Sequence, residues 1–116
     1  MFDPINFLGL CDRLKNICNN DQSIIRTIIG RAYYSTFLKS KKWLYGKGIL
    51  FKNNAEDHSI IADKLKHSYR HLAIGDKFIK LQKLRKLADY DIEIDLPECD
   101  AIESIEIAKE ITGKTI

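Results

Sequence analysis

Residues 22–45 read QSIIRTIIGRAYYSTFLKSKKWLY, and this stretch decides the fold. Ile25, Ile28, Ile29, Ala32, Phe37 and Leu44 recur at helical spacing and make one apolar stripe. No proline interrupts the run, and Asn19-Asn20-Asp21 ahead of it supplies turn residues and a cap. At about 1.5 Å per residue such a helix is roughly 35 Å long, enough for the spine of a bundle. Gly30 in its middle costs about 1 kcal/mol relative to alanine, so close approach by another helix is expected there.

Working outward, Asp3-Pro4 opens a first helix with Leu8, Cys11, Leu14 and Cys18 on one side. On the other flank, YGKGILFKNN (45–54) is a loop. Asp57 is expected to cap a third helix carrying Ile61, Leu65 and Leu72. AIGD (73–76) breaks it, and Asp76 caps a fourth helix with Phe78, Leu81, Leu84 and Ala88 inward. DIEIDLP (91–97) alternates too briefly to build a sheet and reads as an extended connector. A last helix from near Pro97 buries Ile102, Ile105, Ala108 and Ile111 and ends at Gly113. The expectation is all-α: one domain over residues 1–116, an antiparallel up-down bundle of about five helices around a four-helix core.

The 116 residues are 45% hydrophobic and 30% charged, which suits a folded chain rather than a disordered one. The three cysteines, Cys11, Cys18 and Cys99, are an odd number without a CxxC pair, arguing for a reducing compartment. MFDPINFLGL at the start has no basic segment before an apolar run, and no stretch is apolar for the length of a membrane span. A cytoplasmic location is expected. The net charge of +3 hides an asymmetry: residues 22–88 hold 15 Lys/Arg against 4 Asp/Glu, whereas residues 89–116 hold 2 against 9. A basic block is the footprint of a polyanion partner, while an acidic tail masks it or binds a basic protein.

Gly46 and Gly48 form G-x-G, but no strand precedes them and no Lys-Ser/Thr follows, so they read as a loop. Cys11 and Cys18 have core spacing. Asp63, His67 and His71 lie four apart on the third helix; without a further ligand or a glutamate base they read as an exposed polar face with Lys64, Lys66 and Arg70. No metal or cofactor is expected. Tyr33, Tyr34, Phe37 and Trp43 stand among Arg31, Lys39, Lys41 and Lys42, a mixture that suits RNA, although at least two of the rings belong to the core. Finally, LRKLADYDIEI (84–94) turns from basic to acidic within a few residues. Arg85 can fork onto a phosphate and Tyr90 offers a phenolic donor, with Asp89 between them. The two are five apart, about 140° around a helix, so they do not simply share one face, and fraying of the helix at Asp89 with a turn of the chain is a way for them to converge.

RAYYSTFLKSKKWL (31–44), DHSII (57–61) and LRKLADYD (84–91), in that order and spacing, resemble the HEPN superfamily, small all-α bundles of prokaryotic toxin–antitoxin, defence and nucleotidyltransferase-linked systems. The resemblance implies a homodimer with a polar cleft and, in many members, metal-independent ribonuclease activity from an R-x4-6-H motif. In one branch the motif extends to R-x4-H-x-Y, whose tyrosine a partner nucleotidyltransferase adenylylates. Arg85 matches the motif arginine, Tyr90 stands in the histidine position and Ile92 in that of the modified tyrosine. The usual near-neutral acid/base group is therefore missing from the motif. The implied site is Arg85 and Tyr90 in the catalytic positions, with Lys86, Asp89, Arg31, Tyr34 and His58 for RNA or phosphate. The implied partners are RNA or a separately encoded nucleotidyltransferase. The alternative is a protein-interaction module that uses the acidic Glu103–Glu106–Glu110 face and the basic body.

Overall fold

The structure, a computed structural model, describes residues 1–69 and 72–115. In it α1 (Asn6–Asn16), α2 (Gln22–Gly46), α3 (Glu56–His67), α4 (Ile74–Tyr90) and α5 (Glu98–Lys114) pack as a helical bundle. No strand occurs among the described residues. The long α2 is the spine, touching each of the other four helices and lying most extensively against α5. All six residues of its predicted stripe are buried, with Tyr33 and several small polar residues between them. Thr36, Ser104 and Thr112 are accommodated because each hydroxyl donates to its own helix, to Ala32 O, Asp100 O and Ala108 O at 2.8–2.9 Å. No helix of the described residues is long and apolar enough to cross a membrane.

The helix starts differ from the expected caps. Asp21 caps α2 by accepting from the Ser23 and Ile24 amides. Asp3 accepts from the Ile5 amide just ahead of α1. Asp57, however, lies inside the first turn of α3 and reaches backward, accepting from the Lys52 and Asn53 amides at 2.8 and 2.9 Å and from Lys41 Nζ at 2.9 Å. It is 1% exposed, and a buried carboxylate is tolerable only with partners of this kind. These donors outweigh the burial that works against its charge, so its carboxyl sits below the ordinary range. The effect is to tie the 47–55 loop to the end of α2. Asp76 likewise falls within α4, which starts at Ile74 after a left-handed Ala73.

Two glycines have opposite roles. Gly75 sits where α4 crosses the last turn of α3: a Cβ there would lie 2.6 Å from Lys66 N and 2.7 Å from Lys66 Cα. Gly30, expected at a close crossing, has only Asp89 Oδ1 within reach, at 3.8 Å, because a surface hollow opens beside it.

Arg26 organises the α4–α5 connector. Its Nη1 donates to the carbonyls of Leu87, Ala88 and Asp91 at 3.3, 3.1 and 2.9 Å, and its Nη2 to Ile94 O at 2.6 Å. Gln22 continues the stitching, donating from Nε2 to Leu96 O at 2.7 Å and accepting from the Leu96 amide at 3.0 Å. The last carbonyls of a helix lack intrahelical donors and carry the negative end of its dipole, so a forked cation is the complementary group. Arg26 thus fixes the end of α4 that bears Arg85, Asp89 and Tyr90.

Charge pairing also runs between helices. Lys77 reaches Glu110 at 2.8 Å, Lys80 pairs with Glu103, and Lys109 reaches Asp12 at 3.0 Å. Two of the three carboxylates on the acidic face of α5 are therefore engaged with the basic body of the same chain.

Candidate phosphate-binding site between α2 and α4

Arg85 is the centre of the site. Its side chain is 15% exposed and lies against α2, where Nη2 donates to the Tyr34 hydroxyl at 3.1 Å. Its guanidinium carbon stands 5.6, 5.5 and 5.8 Å from the ring centres of Tyr33, Tyr34 and Tyr90. Asp89, one turn on, brings Oδ2 to 2.9 Å from Nε. That contact is an ion pair without an aligned hydrogen bond, and the buried Nε–H has no aligned acceptor among the described residues. Burial opposes the charge of Arg85, but Tyr34, Asp89 and Tyr90 outweigh it, and the cation is held firmly.

Tyr90 does converge with Arg85, by a different route from fraying. The helix runs unbroken through Tyr90, and the long arginine side chain covers the angular gap between the two positions. The Tyr90 ring is 72% exposed. Asp89 meets Arg85 directly, so it acts first as the internal counter-charge. Lys86 is exposed on the same helix and contributes to the positive potential at His58.

Arg31 joins from α2. Its guanidinium carbon lies 5.1 Å from the Tyr34 ring centre and 5.2 Å from that of Phe7. Tyr34 thus receives two guanidinium groups, and Arg31 has no salt bridge among the described residues. Two cations near one ring, with a single carboxylate between them, leave positive charge uncompensated. A hollow of about 380 Å³ opens beside Arg31, lined by Arg26, Thr27, Gly30, Arg31 and Asp89.

His58 reaches the cluster from α3 through a residue that sequence reasoning did not assign to it. Tyr33 is fully buried, and its hydroxyl hydrogen-bonds His58 Nδ1. The imidazole stacks on Phe37 at 4.2 Å between ring centres. Burial pushes the Tyr33 phenol far up, so it keeps its proton. Burial first, then the charge of Arg85, pushes His58 below its usual value, so at neutral pH it is uncharged. The buried Tyr33 hydroxyl has no other acceptor among the described residues, so we assign it as the donor to Nδ1, which leaves the ring proton on Nε2. His58 is set as a hydrogen-bond donor, and its basic nitrogen is already occupied. The signal for Tyr33 was present in the sequence: it lies four residues after Ile29 and four before Phe37, on the buried stripe.

The remaining candidates stay apart from this cluster. Cys11 and Cys18 are buried, and burial pushes the Cys11 thiol up to about 11, an inert core group. His67 is exposed and its Nδ1 bonds to Asp63 O at 2.8 Å. His71 and Arg70 lie outside the described residues, among which no three potential metal ligands gather. The arrangement gathers two guanidinium groups, Arg85 and Arg31, with the hydrogen-bonding side chains of Tyr34, Tyr90 and His58 around the Tyr33–Tyr34 rings, the types of group that suit an oxyanion. Compared with protein-family models, with curated proteins and with solved structures, the chain matches none, so the site's own geometry carries its reading.

Proposed function

We propose that the chain is a HEPN-like RNA-binding domain in which the motif arginine, Arg85, serves as a phosphate receptor while the catalytic half of the nuclease motif has lapsed. The observation that carries this reading is the contrast between two arginines. Arg26 spends its donors on four backbone carbonyls and Gln22. Arg85, comparably enclosed, has among the described residues one aligned hydrogen bond, to the Tyr34 hydroxyl, beside its ion pair with Asp89. A largely buried cation normally has its donors satisfied, and a guanidinium with donors to spare can fork onto an oxyanion. The resemblance supplies the class of ligand, and the basic block from residue 22 to 88 suits it.

A second reading, the helical partner of a separately encoded nucleotidyltransferase, is favoured by the exposed Tyr90 phenol beside Arg85, an accessible acceptor hydroxyl. The protein-interaction alternative is weakened by the engagement of Glu103 and Glu110 with Lys80 and Lys77. The test is equilibrium binding of a labelled RNA in EDTA. Arg85→Ala is expected to weaken binding at least tenfold, since hydrogen bonds to charged groups are worth about 1.5–3 kcal/mol. Affinity should also fall steeply with salt. Unchanged affinity in Arg85→Ala would remove the reading. RNA cleavage by the parent in EDTA, lost in Arg85→Ala, would restore the catalytic half.

A further inference from the structure

Three surface hollows lie end to end along α2. The hollow beside Asp89 shares Arg31 with a second of about 210 Å³, lined by Phe7, Arg31, Tyr34 and Leu38. The second shares Leu38 with a third of about 330 Å³, which reaches Lys42, Tyr45, Leu50 and Phe51. They align because residues 31, 34, 38, 42 and 45 recur at three- and four-residue steps on one helix face. From Arg31 to Tyr45 the strip is about 21 Å long.

The strip is unusual in what it exposes. Tyr45 is 69% and Leu50 84% exposed, and Leu38, shared by the second and third hollows, is also open. Arg31 and Lys42 have no salt bridge among the described residues, and no carboxylate lines the second or third hollow. A second copy of this chain docked face to face would set these cations against their own kind. A duplex presents phosphates but no free base faces. The open Tyr45 ring and the Arg31 guanidinium lying over Phe7 and Tyr34, with Lys42 between them, fit a strand whose bases are unstacked from a partner strand, the bases lying on the ring and the guanidinium plane and the phosphates on the cations.

We infer that the α2 strip is a track for single-stranded RNA leading away from Arg85 toward Tyr45. This rests on the RNA-binding reading and adds the substrate class, a single strand. At about 3.4 Å per stacked nucleotide the strip holds roughly six, fewer if the strand is extended.

The experiment is fluorescence anisotropy of the full chain with a labelled octauridylate and with a blunt RNA duplex, in EDTA, at several salt concentrations. The variants are Tyr45→Ala and Lys42→Glu, both at exposed positions, with circular dichroism confirming the fold. The single strand should bind more tightly than the duplex. Tyr45→Ala should weaken it about fivefold or more, the loss of one base stack, without changing duplex binding. Lys42→Glu should weaken it and flatten the salt slope by about 0.7 or more. Parental single-strand affinity in both variants, or equal preference for duplex, overturns the track. If that happens while Arg85→Ala still loses binding, the Arg85 reading stands alone; if Arg85→Ala also binds as the parent, both fall. An oligomer that Tyr45→Ala dissociates would make the strip a protein interface and overturn the track as well.

Discussion

Replacing Arg26 with alanine is expected to lower the stability of the chain by about 2–4 kcal/mol, through lost charge-assisted hydrogen bonds and a lost helix-dipole partner. One guanidinium serves two carbonyls of the last turn of α4 and two of the connector beyond it. Water can replace part of this, since two of the four acceptors lie at exposed positions, which keeps the estimate below the full sum of four bonds. Urea unfolding followed by circular dichroism measures it, and the corresponding fall in Tm is roughly 10–20 °C. Arg26→Lys should recover only part of the loss, because an ammonium offers the charge without the planar fork. A change within about 0.5 kcal/mol, the range of an ordinary surface substitution, would mean that the connector holds without Arg26. The consequence extends to the site, since the same end of α4 carries Arg85, Asp89 and Tyr90.

The second large effect is at Gly75. A methyl group there meets the backbone nitrogen and Cα of Lys66, at 2.6 and 2.7 Å. Real Cβ atoms essentially never approach this closely, so α3 and α4 must separate at that end. A side chain could rotate away, but backbone cannot. Overpacking against backbone costs about 3 kcal/mol, well above the roughly 1 kcal/mol that alanine returns in helix propensity. Gly75→Ala is therefore expected to be clearly destabilised in the same unfolding experiment. Gly30→Ala serves as the control: with only Asp89 Oδ1 at 3.8 Å, it should gain up to about 1 kcal/mol. Equal stability of the two variants would contradict the close crossing of α3 and α4 at Gly75.

These two residues also show where the sequence was and was not legible. The apolar stripes of α2 and α4 were readable because burial on one side of a helix imposes its own period: Ile25 to Leu44 and Phe78 to Ala88 are buried as spaced. Gly75 looked like a helix break because the sequence signal for a break and for a close crossing is the same residue. Asp57 looked like a cap for the same kind of reason: an aspartate near a helix start can serve the turn after it or the loop before it, and Lys41 sixteen residues away decides between them. Arg26 was invisible, since its partners lie 61–68 residues along the chain and are backbone carbonyls that any residue supplies.

For the site, Arg85, Tyr90 and Asp89 were legible as neighbours on one helix. The angle between Arg85 and Tyr90 was a poor guide, because a long side chain spans what the backbone geometry separates. Tyr34 and Arg31 entered through the RAYYSTFLKSKKWL stretch that carries the resemblance. The link from His58 to Arg85 through Tyr33 needed the packing of α3 on α2 and α4, which no local pattern encodes. That link also changes the chemistry expected of His58. A histidine beside a motif arginine suggests a base, whereas one accepting a buried phenol at Nδ1 is a neutral donor.

The most direct measurement of the central claim is nitrogen-detected NMR of the arginine and histidine side chains during titration with a short single-stranded RNA. The Arg85 guanidinium and the His58 Nε2–H signals are expected to move together and to saturate at the same RNA concentration. His58 is expected to start as the neutral Nε2–H tautomer, and Arg26 to stay still. Saturable binding that leaves Arg85 and His58 unmoved would contradict the claim.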